Sequence, residues 1–208
     1  MKQGKAFFLM VLFTTLLASN KGYTVVPDIT IGQSNAPITI IEYSSLTCHY
    51  CAEFHKEVLP ALKKKYLDTG KARLVFRNFS SDAYGIAAAC LLAKAPAIKR
   101  VGLLNELFLK QAQWMSPEYV RELAAIFSLP VSQAQTITSD KALIKALGED
   151  FLAAQTKYNI NATPYFIVNG RVIDYKPKLE ELEKLMYPKA APGTEKKPVP
   201  EKPLSQKE

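Results

Sequence analysis

The run Ile38-Thr39-Ile40-Ile41-Glu42-Tyr43 is β-branched and almost continuously apolar, the pattern of a strand buried on both faces. A strand of this kind needs cover above and below, which commits the chain to an α/β architecture. The period then changes. From about His49 to Leu67 the apolar residues Phe54, Val58, Leu59, Leu62 and Tyr66 recur at helical spacing, with Lys63 to Lys65 as a solvated face and Pro60 as a kink. Asp68-Thr69-Gly70 closes the helix, and Arg73 to Phe79 reads as the next strand. Strand, helix, strand implies two parallel strands joined by a right-handed crossover. Glu42 shares its strand face with Ile38 and Ile40, so its carboxyl is expected to be buried.

Other strand signals are few. Tyr23 to Ile31 reads as a short first strand. Tyr165 to Val168 and Arg171 to Ile173, joined by Asn169-Gly170, read as a hairpin with a type I′ turn. Between Ser80 and Ala162 the pattern is helical only: Tyr84–Leu92, Ile98–Gln113, a helix opened by Ser116 as N-cap with Pro117 behind it, and one from about Asp140 to Lys157. A simple crossover needs only a dozen or so residues, so residues 81–157 are expected to be a helical insertion, its last helix able to pack on a core formed by 23–80 and 158–187. Lys178 to Met186 makes a final helix. The Pro-, Lys- and Glu-rich stretch 188–208 lacks periodicity and is expected to be disordered.

The chemistry concentrates where the buried strand turns into the helix. The ten residues from Leu46 to His55 hold two of the three cysteines, in Cys48-His49-Tyr50-Cys51, and both histidines, His49 and His55. Cys48 falls at about the helix N-cap. There the free amides and the positive dipole end favour a thiolate and lower its pKa, whereas Cys51, further in, stays a thiol. A Cys48 pKa of roughly 5 would favour the reduced form by about 2.7 kcal/mol at pH 7, about 60 mV toward a more oxidising disulfide. His49 beside the sulfur is expected to tune it. Other readings stay open at this point: a structural disulfide, or a soft-metal site such as that of a copper chaperone, using Cys48, Cys51 and His55 in a C-x2-C-x3-H spacing. Outside the metal reading His55 is a helix-surface or packing residue. Cys90, in the apolar run Ala87 to Leu92, is a buried core thiol, and Trp114 packs between helices.

The address bears on the same question, because an oxidising compartment lets cysteine pairs cycle through disulfides. Lys2 and Lys5 precede an apolar run from Ala6 to Ala18, followed by small and polar residues. That run falls short of the roughly 17–25 residues of a membrane span and has the layout of a cleaved secretory signal over residues 1–20, with a retained anchor as the alternative. Periplasmic or secreted localisation follows. The net charge of +8 is shared with Lys2, Lys5 and the lysines of the C-terminal stretch, and no basic run interleaved with aromatics is present. Nucleic-acid binding is therefore not expected.

In ordered combination these features resemble the DsbA-type thiol-disulfide oxidoreductases. The residues that carry the resemblance are Asn35-Ala36-Pro37, Glu42 six residues before Cys48, Cys48-His49-Tyr50-Cys51 followed by Phe54-His55, Phe76-Arg77-Asn78-Phe79, and Thr163-Pro164-Tyr165-Phe166. The resemblance covers about residues 28–187 and implies a thioredoxin fold, a central mixed sheet with an inserted all-helical domain. It makes Cys48 the nucleophile, Cys51 the resolving thiol, Glu42 the buried acid that handles the Cys51 proton, and Pro164 a cis-proline facing the pair. The Thr163 backbone would then pair with extended substrate. It also implies a monomer without a bound cofactor, acting on reduced, unfolded exported proteins and reoxidised by a membrane-bound, quinone-linked partner. The chain departs from the best-known oxidases of the family in its His49-Tyr50 dipeptide, where they carry Pro-His, and Thr163 before the proline is shared with isomerases, so a disulfide isomerase or reductase is the alternative to the oxidase.

Overall fold

In the computed structural model, described here for residues 27–188, a five-stranded sheet runs in the order β1-β3-β2-β4-β5. The strands are β1 (Ile29–Gly32), β2 (Ile38–Ser44), β3 (Ala72–Asn78), β4 (Tyr165–Val168) and β5 (Arg171–Ile173). β2 and β3 are parallel with Glu42 opposite Phe76, as the crossover requires, and the other pairings are antiparallel. The expected signal over 1–20, the stretch Tyr23–Val26 and residues 189–208 lie outside the described residues. β1 accordingly begins at Ile29, just after Pro27, whose missing N–H suits a strand start at a sheet edge. Asn169 and Gly170 both have positive φ, 49° and 73°, as a type I′ turn demands.

Both faces of the sheet are covered. Ile40 and Glu42, with Leu74, Phe76, Phe166 and Val168, form one buried cluster with the helix that follows β2 and with most of the helices between β3 and β4. Each large apolar side chain sealed here stabilises the fold by roughly 1.5–3 kcal/mol. Ile41, Tyr43, Tyr165 and Ile167 face the other way, where Phe151, Ala154 and Tyr158 of a single long helix cover them. That two-sided cover is why β2 reads as a continuous apolar run. Among the described residues no helix is long and apolar enough to cross a membrane.

The helix after β2 departs from a simple kink. It consists of α1 (His49–Glu53) and α2 (Leu59–Leu62), with π-helical turns at Phe54–Val58 and Lys63–Leu67. Pro60 opens α2 and has no N–H to give to the preceding turn. The turn before it is widened, with the Leu59 N–H bonding the Phe54 carbonyl, and it buries the neighbours Phe54 and His55 together.

Between β3 and β4 lie α3 (Ala83–Lys94), α4 (Ala97–Leu109), α5 (Gln111–Trp114), α6 (Tyr119–Phe127), α7 (Val131–Thr138) and α8 (Lys141–Tyr158), and α9 (Leu179–Met186) follows β5. The single helix expected over Ile98–Gln113 is broken at Lys110. The fully buried Trp114 donates its indole N–H to the Leu107 carbonyl at 2.8 Å, tying α5 back to the last turn of α4 across the break at Lys110. Ser116 does not cap the next helix. It sits in a turn closed by Tyr119 N–H to its carbonyl, its hydroxyl is buried without a partner, and α6 starts only at Tyr119. Helix α7 was not visible in the sequence because Ala134 is its one fully buried residue and its polar glutamines and serine give no clear stripe.

Candidate redox site

Helix α1 begins where β2 runs out, and Cys48 is its N-cap, with extended backbone at φ −75° and ψ 124°. From that position its sulfur accepts the Cys51 N–H at 3.3 Å and donates to the Thr163 carbonyl at 3.3 Å. The Thr163–Pro164 peptide is cis. Cys48 is half-buried, Cys51 is fully buried, and both are free thiols. The geometry is that of a dithiol with one sulfur offered to solvent.

Electrostatics separates the two sulfurs. The Cys48 thiol is lowered to about 6, chiefly by a hydrogen bond from Cys51, against the opposing pull of burial, and further by the Thr163 side chain and the amides of Cys51 and Tyr50. Its neighbour goes the other way. Burial pushes Cys51 far up, and the adjacent Cys48 and the Glu42 charge reinforce it, with the Ser44 hydroxyl opposing. The value near 6 halves the poise expected from a pKa of 5: at pH 7 the thiolate favours the reduced form by about 1.4 kcal/mol, or about 30 mV. The Cys51 thiol, rather than the helix end alone, is the largest cause.

His49 does not reach the sulfur. Its imidazole stands 77% exposed and pairs with Glu53 at 3.1 Å, because i,i+4 spacing on α1 brings that carboxylate within reach. Lys176 donates to Glu53 at 2.7 Å and to Glu57 at 2.8 Å, tying this end of the redox helix to the loop before α9. Tyr50 is 60% exposed with its ring edge against His49, so the dipeptide forms the outer surface beside Cys48.

Glu42 is fully buried on the face of β2 below α1, and its partner is His55, whose Nε2 lies 3.1 Å from both carboxyl oxygens. The helix-surface reading of His55 is therefore wrong. The ring is 2% exposed, stacks on Phe108 at 4.0 Å and leaves Nδ1 buried without a partner. This also removes the third ligand of the C-x2-C-x3-H metal reading. Among the described residues no group of three or more potential ligands converges. The sequence did carry a signal for His55, since it follows Cys51 by four residues on the buried stripe of the helix.

Two further features went unread. Gln111, buried at the start of α5, donates through Nε2 to the carbonyls of Leu46 at 2.8 Å and Cys48 at 3.0 Å. An open groove of about 280 Å3 runs from Cys48 and Thr163 past Thr47, Phe79, Phe151, Gln155 and Ile160, with apolar and polar side chains mixed in its lining. Cys90 is buried in α3 and pushed up to about 11 by that burial, which keeps it out of the chemistry.

A family model described as Thioredoxin matches residues 24–187. The chain belongs to the thioredoxin family. Within it, the structure is similar to Wolbachia pipientis alpha-DsbA1, with a TM-score of 0.68 and 28% identity over 76% of this chain and 90% of that one. A putative protein-disulfide oxidoreductase of Rickettsia typhi is 32% identical over 149 residues, 69% of this chain and 55% of the relative. The disulfide bond formation protein D of Bacillus subtilis is 26% identical over 74% of this chain and 75% of its own length. The chain thus spans about half the length of the rickettsial relatives it matches, and this thioredoxin-family member is DsbA-like in its mixed sheet and its helices between β3 and β4.

Proposed function

We propose that this thioredoxin-family protein is an exported thiol-disulfide oxidoreductase that transfers its Cys48–Cys51 disulfide to reduced, unfolded exported proteins. The observation that carries the reading is the contrast between a solvent-reaching Cys48 held low at the helix N-cap and a sealed Cys51 held high directly behind it.

In the forward direction a client thiolate attacks the Cys48 sulfur of the oxidised protein. The S–S bond breaks and Cys51 leaves, taking up a proton, for which the buried Glu42, whose charge acts on Cys51 and which pairs with His55, is the proposed source. A second client thiolate then attacks the client sulfur of the mixed disulfide and expels Cys48 as the stabilised thiolate. Two client thiols have become a disulfide, and the protein disulfide has become the dithiol seen here. The Thr163 carbonyl beside Cys48 and the adjoining groove suit an extended client segment. Reoxidation falls to a membrane-bound, quinone-linked partner, and the N-terminal stretch from Lys2 to Asn20 supports periplasmic or secreted localisation.

Equilibration with glutathione buffers, followed by an assay of oxidation of a reduced, unfolded substrate, tests the reading. Rapid stoichiometric oxidation of the substrate by the disulfide form is the expected result. A disulfide form that leaves substrate thiols untouched, while the dithiol form reduces substrate disulfides, would assign the protein to reduction instead.

A further inference from the structure

We propose that Gln111 is a positioning residue for Cys48, holding the redox cysteine at its helix cap from the helical segment between β3 and β4. The inference deepens the functional reading above and rests on it for the role of Cys48.

The loop from Ser45 to Cys48 has no strand partner of its own and is held from outside by side chains. Ser80 Oγ accepts the Leu46 N–H at 3.1 Å, and the Thr47 hydroxyl donates to Asp82 at 2.6 Å. Both of these grip the loop upstream of the cysteine. Gln111 alone among these side chains reaches Cys48 itself, donating one amide hydrogen to its carbonyl and the other to that of Leu46. The Cys48 carbonyl also accepts the Ala52 N–H at 3.1 Å, the bond that starts α1. Its orientation therefore decides how the Cys51 amide meets the Cys48 sulfur.

Gln111 can do this because of where the chain puts it. It continues the apolar stripe Leu104, Leu107 and Phe108 at i+7, so a polar side chain stands on a buried face. The break at Lys110 and the anchored Trp114 fix its first turn. Both amide hydrogens are used, which no apolar residue of similar length can reproduce.

The test is the pH dependence of iodoacetamide alkylation of the reduced full chain, read at Cys48, for the wild type and Gln111→Met, which keeps the length and lacks the donors. Thermal melts are recorded alongside. The expected result is a midpoint raised by half to one pH unit in the variant, seen as about three- to tenfold slower alkylation at pH 5. A variant that melts earlier with its midpoint unmoved would reduce Gln111 to a packing residue and overturn the proposal. Gln111→Asn, with the same donors on a shorter arm, carries the test if the methionine variant does not fold: a raised midpoint supports the proposal and an unmoved one overturns it. A wild-type midpoint near that of a free thiol would instead sink the functional reading, so the two failures are distinguishable.

Discussion

On the proposed function, replacing Cys51 with serine should turn the protein into a trap for client disulfides. The variant can form no Cys48–Cys51 disulfide, but its Cys48 thiolate can still attack a client disulfide, forming a mixed disulfide as the other client sulfur leaves as a thiolate; the Cys51 thiol that would attack Cys48 and resolve that adduct is absent. Adducts on Cys48 should accumulate and turnover should fall by orders of magnitude. Cys48→Ser should abolish capture and turnover together, because the remaining Cys51 sulfur is fully buried and held protonated. Non-reducing gels of each variant after exposure to oxidised client check this. Equal capture by both single variants would mean that the two sulfurs are not divided by exposure and charge as described.

Removing His55 should be the most damaging change to stability at the site. His55→Leu leaves the Glu42 carboxyl fully buried with its partner gone, at a cost of about 3–5 kcal/mol and a fall in Tm of about 10 °C. Glu42→Leu combined with His55→Leu removes both polar groups and should recover most of that loss, since an apolar pair of similar volume needs no partner. The double variant should still form mixed disulfides at Cys48 yet exchange them more slowly, if Glu42 is the proton source proposed for Cys51. Denaturant melts give the first comparison and stopped-flow exchange the second. A single variant that loses less than about 1 kcal/mol would show that the pair is not coupled in a dry environment.

How far the sequence reached follows from what each signal depends on. Strand β2, the parallel crossover and the Asn169-Gly170 hairpin were legible because period, β-branching and turn chemistry are local. The N-cap position of Cys48 was legible for the same reason, and so was the burial of Glu42, through its shared face with Ile38 and Ile40. What escaped is set by contacts between elements distant in the chain. His55 meets Glu42 from the π-turn after α1, and Gln111 meets Cys48 from a short helix 63 residues away, contacts that no local pattern announces. His49 was misplaced because adjacency in sequence to a sulfur says nothing about a side chain that has Glu53 one helical turn away.

The central claim is that a stabilised Cys48 thiolate in the reduced protein sets the redox poise. A folded pKa of about 6, below an unfolded value near 8.5, gives the reduced form stability that is fully present above the unfolded value and is lost as pH falls through 6. Between pH 5 and pH 7 the gain is about 1.4 kcal/mol, or about 1 kcal/mol once the partial exposure of Cys48 is discounted for solvent screening. Closing the short CxxC loop favours the oxidised form by about 2 kcal/mol, so the pH slope rather than the sign of the difference is diagnostic. Denaturant melts of the reduced and oxidised full chain at pH 5 and pH 7 isolate it, since groups that respond alike in both forms cancel. The account predicts that the reduced form gains about 1 kcal/mol on the oxidised form over that interval; a difference that stays flat, or moves toward the oxidised form, would contradict it.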